Sequence, residues 1–258
     1  MIQVRGIKKR LNGGRGSFVL NDANIDIPPK KIVAILGTNG AGKSTLLKLL
    51  SGVILPDGGT VSLHEGEDTG IHTLATHTHL RALYLDQNSE RDLVPSMTIA
   101  ENMYLAQIPG AVGSLRFPSR RSIHSMTEKA VASISLGLEM RMNEQVRVLS
   151  GGEKQGIVLA RAFLSGSRWL LLDEFVSAMA RDVAKRMMCH VRNITQEMGN
   201  YCVFVTHEAD LAFEFADEFV FMHEGKVVAN FKENSAKVHK EILLLYSRCF
   251  REYIHNEQ

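Results

Sequence analysis

Long apolar runs are missing from this sequence. No uninterrupted stretch approaches the ~18–20 residues needed to cross a bilayer, so a transmembrane helix is excluded and any membrane association must come through a partner. Cysteine is scarce. Cys189, Cys202 and Cys249 lack metal-binding spacing and lie in apolar, evenly patterned segments, which reads as reduced thiols in a core. Charge of one sign is lacking too: a formal net charge of +2 gives no electrostatic case for a nucleic-acid partner. The start, Met1-Ile2-Gln3-Val4-Arg5, does not have the charged-then-apolar layout of a signal peptide. Internal repeats and low-complexity tracts are absent. What remains is a chain of 258 residues, 45% hydrophobic, which suits one globular domain or two subdomains sharing a core. These absences predict a soluble, cytoplasmic protein.

The pattern along the chain predicts an α/β fold. Strand-like segments rich in Val and Ile run from Ile2 to Arg5, Asn24 to Ile27 and Lys31 to Leu36. The third is nearly all apolar, as a buried parallel strand requires. A helix is predicted from Ser44 to Leu50, a turn at Pro56-Asp57-Gly58-Gly59, and strands at Thr60 to Leu63 and Ala82 to Leu85. From about Asn88 to Gly166 the pattern turns helical. Thr98 caps one helix, Gly110 to Arg121 reads as a loop, and Thr127 opens a second helix ending near Gly137. Strands then return at Trp169 to Leu172, Cys202 to Thr206 and Glu218 to Met222. Between two of them, Met187, Met188, Val191, Ile194 and Met198 recur at helical spacing. A parallel core interrupted by a helical insert is the resulting picture.

Three stretches carry chemistry. The first is Gly37-Thr38-Asn39-Gly40-Ala41-Gly42-Lys43-Ser44-Thr45, between the buried strand and the helix. Phosphates need dense donors without steric bulk. Gly37, Gly40 and Gly42 let backbone N–H groups turn inward, and the helix adds its positive end. Lys43 supplies a point charge, and the Ser44 hydroxyl is expected to ligate Mg²⁺. The second is Leu170-Leu171-Leu172-Asp173-Glu174, where Asp173 ends an apolar strand and can hold the water shell of Mg²⁺. The third is Leu149-Ser150-Gly151-Gly152-Glu153-Lys154-Gln155, which opens a helix running to Leu164 and offers a hydroxyl, glycine amides and a helix dipole to an anion.

In this order the three stretches resemble the ATP-binding cassette (ABC) family, and the resemblance runs from about Ile2 to Asn230. It implies a RecA-like α/β core of the P-loop NTPase type, with an antiparallel β-subdomain and a helical insert. The implied organisation is core at 1–87 and 166–232, helical subdomain at 88–165 and a C-terminal helix at 233–258. It implies ATP hydrolysis with Mg²⁺. Glu174 would polarise the attacking water, and Gln87, which follows Asp86, looks like the glutamine that touches Mg²⁺ and that water. His207, after Cys202-Val203-Phe204-Val205-Thr206, looks like the histidine that contacts the γ-phosphate. Ser150, Gly151, Gly152 and Gln155 would close on the ATP of a second copy, or of a homologous cassette, arranged head to tail. Separate membrane permease subunits would take up the work, placing the chain on the cytoplasmic face of the membrane. Their coupling helices would dock beside Gln87, in a groove bounded by Asn88 to Met97. The segment Asp86 to Leu105 and the run Met222 to Lys226 look like those of bacterial importers of the tryptophan/tyrosine type, with a substrate-binding protein as a further partner.

The chain departs from the family pattern where Phe175-Val176-Ser177-Ala178-Met179-Ala180 follows Glu174. The loop aspartate is Ala180, and Asp182 comes two positions late. An aromatic that would stack on adenine is absent after Lys9-Arg10, where Leu11 stands and Phe18 is the nearest ring. A soluble ABC protein outside transport and a cassette that gates without turnover remain open at this stage. The absence of a second cassette or a coiled-coil insert argues against the first, and Glu174 and His207 against the second. His72, His77 and His79 read as a solvated loop, as do Arg116, Arg120 and Arg121. Val238, Ile242, Leu245, Tyr246, Cys249, Phe250 and Tyr253 read as one helix packing on its own domain.

Overall fold

The computed structural model describes residues 1–10, 17–64, 82–106 and 120–256, and the backbone only of 120–123 and 251–256. Leu11, His72, His77, His79 and Arg116 lie outside the described residues, as do the side chains of Arg120, Arg121 and Tyr253. The chain divides into two compact units. One comprises Met1–Tyr84, Arg168–Glu174 and Arg192–Gln258; the other comprises Leu85–Ser167 and Phe175–Val191.

In chain order the elements are β1 (Ile2–Arg10), β2 (Phe18–Ile27), β3 (Ile32–Gly37), α1 (Lys43–Leu50), β4 (Gly58–Leu63) and β5 (Ala82–Asp86). There follow α2 (Ile99–Leu105), α3 (Arg120–Ser133), α4 (Gly151–Leu164), β6 (Trp169–Asp173), α5 (Arg181–Glu197), β7 (Tyr201–Val205), α6 (Ala209–Phe215), β8 (Glu218–His223), β9 (Lys226–Phe231) and α7 (Ala236–Asn256).

The first unit carries two sheets. One is three-stranded and antiparallel, in the order β2-β1-β4; the other is six-stranded, in the order β5-β6-β7-β3-β8-β9. In the second, β6, β7, β3 and β8 run parallel, and β9 closes one edge antiparallel. All six residues of β3 are buried, which accounts for its unbroken apolar run. Val33 and Ile35 of β3, Leu46 and Leu47 of α1, and Leu171, Val203 and Val205 share one core with Ile2, Val4 and Ile25 of the small sheet. That core fixes the junction of β3 and α1, where the glycine-rich stretch lies.

The second unit is helical. A reciprocal cap starts α2: Thr98 Oγ1 accepts the Glu101 N–H at 3.2 Å, and the Glu101 carboxylate accepts the Thr98 N–H at 2.7 Å. Gly156 of α4 lies against the side-chain tips of Ile134, Leu136 and Met187.

Several elements differ from their predicted extents. Helix α3 begins at Arg120, so Arg120 and Arg121 are helical and Thr127 is interior. The Thr127 hydroxyl donates to the His124 carbonyl at 2.9 Å, bonding backwards along the helix where a cap would accept from ahead. Strand β1 continues to Arg10. A register shift between Val4 and Ile7 breaks its two-residue alternation and conceals the second half. Strand β9 lacks the unbroken apolar run of a central strand in the sequence, because its edge position leaves its residues alternately exposed and half-buried. It joins β8 through Glu224 and Gly225, both at positive φ, which matches the strand twist. Cys202 and Cys249 are buried, but Cys189 is exposed on α5; all three are free thiols. Burial pushes the Cys202 thiol up to about 12. Among the described residues no helix is long and apolar enough to cross a membrane.

Candidate functional site

Strand β3 delivers the chain to Gly37, and α1 starts six residues later. Two glycines in between leave no room for a side chain. A Cβ on Gly37 would lie 1.9 Å from the Met222 carbonyl oxygen. One on Gly42, at φ 91°, would lie 2.7 Å from both Leu20 Cδ2 and the Val19 carbonyl. Lys43 is buried, 7% exposed. Its ammonium donates to the carbonyls of Gly37 at 2.9 Å and Thr38 at 2.8 Å. Burial lowers its pKa, and the charges of Glu174 and Asp173 oppose that shift. The loop's outer side is tied down as well. Thr38 Oγ1 and His223 Nδ1 are 3.0 Å apart, and the Gly225 N–H donates to the Ala41 carbonyl at 3.2 Å. Asn39, Gly40 and Ser44 face solvent, and Thr45 is half-buried.

Asp173 closes β6 and is buried. Its Oδ1 accepts the Ser44 hydroxyl at 2.9 Å, and its Oδ2 accepts the Tyr84 hydroxyl at 2.7 Å. Tyr84 was not among the predicted site residues. A tyrosine in the apolar strand Ala82-Leu83-Tyr84-Leu85 was the one available signal. Glu174 has φ 51°, left-handed backbone that is uncommon outside glycine and costs ~1–3 kcal/mol. Its N–H donates to the Val205 carbonyl at 3.0 Å. His207 follows β7, and its Nδ1 lies 3.6 Å from Glu174 Oε1. The first unit therefore brings Lys43, Ser44, Asp173, Glu174 and His207 to the ends of its parallel strands. The Ser44 and Asp173 oxygens form a hard, all-oxygen donor pair of the kind that suits Mg²⁺.

The second unit carries Gln87, Ser150, Gly151, Gly152 and Gln155. Gln87 follows β5, where Ser89 Oγ accepts the Asp86 N–H at 2.7 Å and donates to the Asp86 carboxylate at 3.1 Å. Gln155 is buried, and its side-chain amide donates to the Gln87 carbonyl at 2.9 Å, joining the start of α4 to this turn. Ser150 caps α4. Its Oγ accepts the Glu153 N–H at 3.3 Å and donates to Glu153 Oε2 at 2.9 Å, while Oε2 also accepts the Ser150 N–H at 2.8 Å. The hydroxyl predicted to face an anion is thus engaged in a capping box, for which Ser150-x-x-Glu153 was the signal in the sequence. Arg141 pairs with both Glu153 and Glu144. Burial alone would raise the Glu153 carboxyl, but its bonds to Ser150 and Arg141 hold it below the ordinary range.

Ala180 takes the N-cap position of α5, with its carbonyl accepting from Val183 and Ala184 at 2.9 Å each. Asp182 lies in the helix's first turn. In the small sheet, Arg10 and Phe18 are cross-strand partners, with the guanidinium carbon 4.4 Å from the ring centroid.

A family model for the ABC transporter matches residues 20–177. The chain is 30% identical over 236 residues to a tyrosine transport ATP-binding protein of Clostridioides difficile, covering 90% of this chain and 92% of that one. It is 33% identical over 212 residues to a ribose import ATP-binding protein of Corynebacterium glutamicum, covering 82% of this chain but 38% of the relative. Among solved structures it resembles cbiO1 of Clostridium perfringens, part of the transporter complex cbiONQ, with a TM-score of 0.76, 20% identity and coverage of 99% and 98%. It also resembles the dimeric cassette MJ0796 bound to ADP and Pi, with a TM-score of 0.74, 22% identity and coverage of 91% and 100%. At these identities the structural likeness establishes the fold.

Proposed function

The chain belongs to the ABC transporter family, and from that premise we propose how its residues divide the work of binding ATP, hydrolysing it and driving a membrane permease. It is the ATP-binding and ATP-hydrolysing subunit of a transporter. The loop Gly37, Thr38, Asn39, Gly40, Ala41, Gly42, Lys43, Ser44 and Thr45 holds the phosphates: backbone N–H groups surround them, and Lys43 neutralises their charge. Ser44 and Asp173 would hold Mg²⁺, and the ion would withdraw charge from the phosphate oxygens. Glu174 takes the proton of the attacking water, and His207 contacts the γ-phosphate. A carboxylate that polarises water must be held at a fixed angle, and the left-handed backbone at Glu174 suits that requirement.

Ser150, Gly151, Gly152 and Gln155 act on the ATP of a second copy, so that ATP joins two cassettes and hydrolysis releases them. Gln155 contributes by holding the carbonyl of Gln87. The permease docks on the helical unit, where a groove of about 680 Å³ is lined by residues that include Met97, Ala100, Glu101, Tyr104 and Leu105; of the expected stretch Asn88 to Met97 it takes in Met97. This docking holds the chain at the cytoplasmic face of the membrane. The ribose relative, an import ATP-binding protein, favours import, with a substrate-binding protein delivering the cargo.

The observation that carries this reading is the Ser44–Asp173 hydrogen bond beside Lys43, Glu174 and His207 within one compact unit. Phosphate release from ATP tests it. Glu174→Gln should bind ATP as the parent chain does and lose about 10²-fold or more in turnover. Equal turnover would remove Glu174 from the role.

A further inference from the structure

We infer that Tyr246, on helix α7, is a positioning residue for the phosphate loop, and that α7 thereby sets how tightly ATP is held. The inference rests on the ATP-binding reading above. The Gly37 N–H donates to the Tyr246 hydroxyl oxygen at 3.1 Å, across 209 residues of chain. The carbonyl of the same glycine accepts from Lys43 Nζ at 2.9 Å. Gly37 is therefore gripped on both sides, by Tyr246 through its N–H and by the phosphate-facing lysine through its C=O. A rotation at Gly37 would carry the Lys43 ammonium with it.

Packing holds the tyrosine in place. Its ring stands edge-on to Phe221 of β8, with centroids 4.9 Å apart and planes at 83°. Burial raises its pKa, against the pull of the Gly37 hydrogen bond, so the phenol stays neutral. The two residues after Phe221 reach the loop. Met222 presses its carbonyl against Gly37, and His223 bonds Thr38 at 3.0 Å. Helix α7 is anchored on its own account by buried Val238 and Ile242, and by His239 stacked on Phe213 at 3.9 Å. An anchored helix thus brings a polar contact to the loop. Losing the Gly37 bond leaves the loop less organised before ATP arrives, and the cost appears in affinity.

Tyr246→Phe keeps the ring and deletes the acceptor. In the full chain without nucleotide, hydrogen exchange in the 32–45 segment should speed up. By calorimetry the ATP Kd should rise about 3- to 10-fold. The ATPase KM should rise in step, with kcat at saturating ATP held. Tyr246→Leu removes ring and hydroxyl together and separates packing from the hydrogen bond. The inference requires Tyr246→Phe to reproduce most of the affinity loss. Unchanged exchange, unchanged Kd, or a loss confined to Tyr246→Leu would each overturn it while leaving ATP binding by the parent chain intact. A parent chain that binds no ATP would overturn the underlying reading as well.

Discussion

The Ser44 hydroxyl donates to Asp173 Oδ1 at 2.9 Å, joining the start of α1 to the end of β6 across 129 residues. Neither oxygen of Asp173 is idle, because Tyr84 holds the other at 2.7 Å. A carboxylate fixed at both oxygens keeps one orientation toward the proposed metal position. Asp173→Asn should therefore raise the Mg²⁺ concentration needed for tight nucleotide binding by about 10- to 100-fold. ATP binding in the presence of chelator should change little. Titrating Mg²⁺ into a fixed ATP mixture by calorimetry checks this, and an unchanged Mg²⁺ requirement would take Asp173 out of the metal site.

Lys43 is the cation of the proposed phosphate loop, so Lys43→Ala should weaken ATP binding about 10- to 100-fold. The parent chain carries a pH signature too. Burial lowers the Lys43 pKa from 10.5, and only the protonated amine attracts phosphate. ATP affinity should fall as pH rises through a value below 10.5, earlier than an ordinary lysine would allow. The linkage to stability has the opposite sense. The unfolded lysine holds its proton more tightly, so this residue's contribution to stability rises with pH above its folded value. Affinity measured across alkaline pH, with Lys43→Ala as reference, reads the first effect.

Ala180 lies at a helix N-cap without a capping side chain. Ala180→Asp should stabilise the chain by about 0.5–2 kcal/mol through a bond to the first turn of α5. Urea denaturation checks that directly. In the permease-bound complex the same change should alter the cooperativity of ATPase activity more than ATP affinity. An unchanged midpoint would contradict the capping role; an unchanged Hill coefficient would remove this loop from coupling between sites.

What was legible in the sequence is what backbone chemistry demands locally. Gly37 and Gly42 tolerate no Cβ, and β3 is buried on both faces, so the strand–loop–helix unit showed in residue types alone. The caps at Thr98 and Ser150 were equally local, each with a glutamate three residues on. Tyr84 and Tyr246 were opaque for the opposite reason. Each stands in an apolar pattern that predicts burial of a ring, and nothing local says where the hydroxyl goes. Their partners, Asp173 and Gly37, are distant in the chain. The start of α3 was missed because Arg120-Arg121-Ser122 offers no apolar period and Thr127 looks like a cap. The exposure of Cys189 depends on which face of α5 it occupies, a matter of one helical step.

ATP held between two copies of this chain is the state from which the proposed roles follow, and Glu174→Gln reports it most directly. The amide keeps the side chain's shape and removes the charge proposed to polarise water, so bound ATP should persist. Light scattering at saturating Mg-ATP should give twice the 28.7 kDa mass of the chain, and Lys43→Ala added to the same variant should return the monomer. A Glu174→Gln chain that remains monomeric at saturating Mg-ATP would contradict the account.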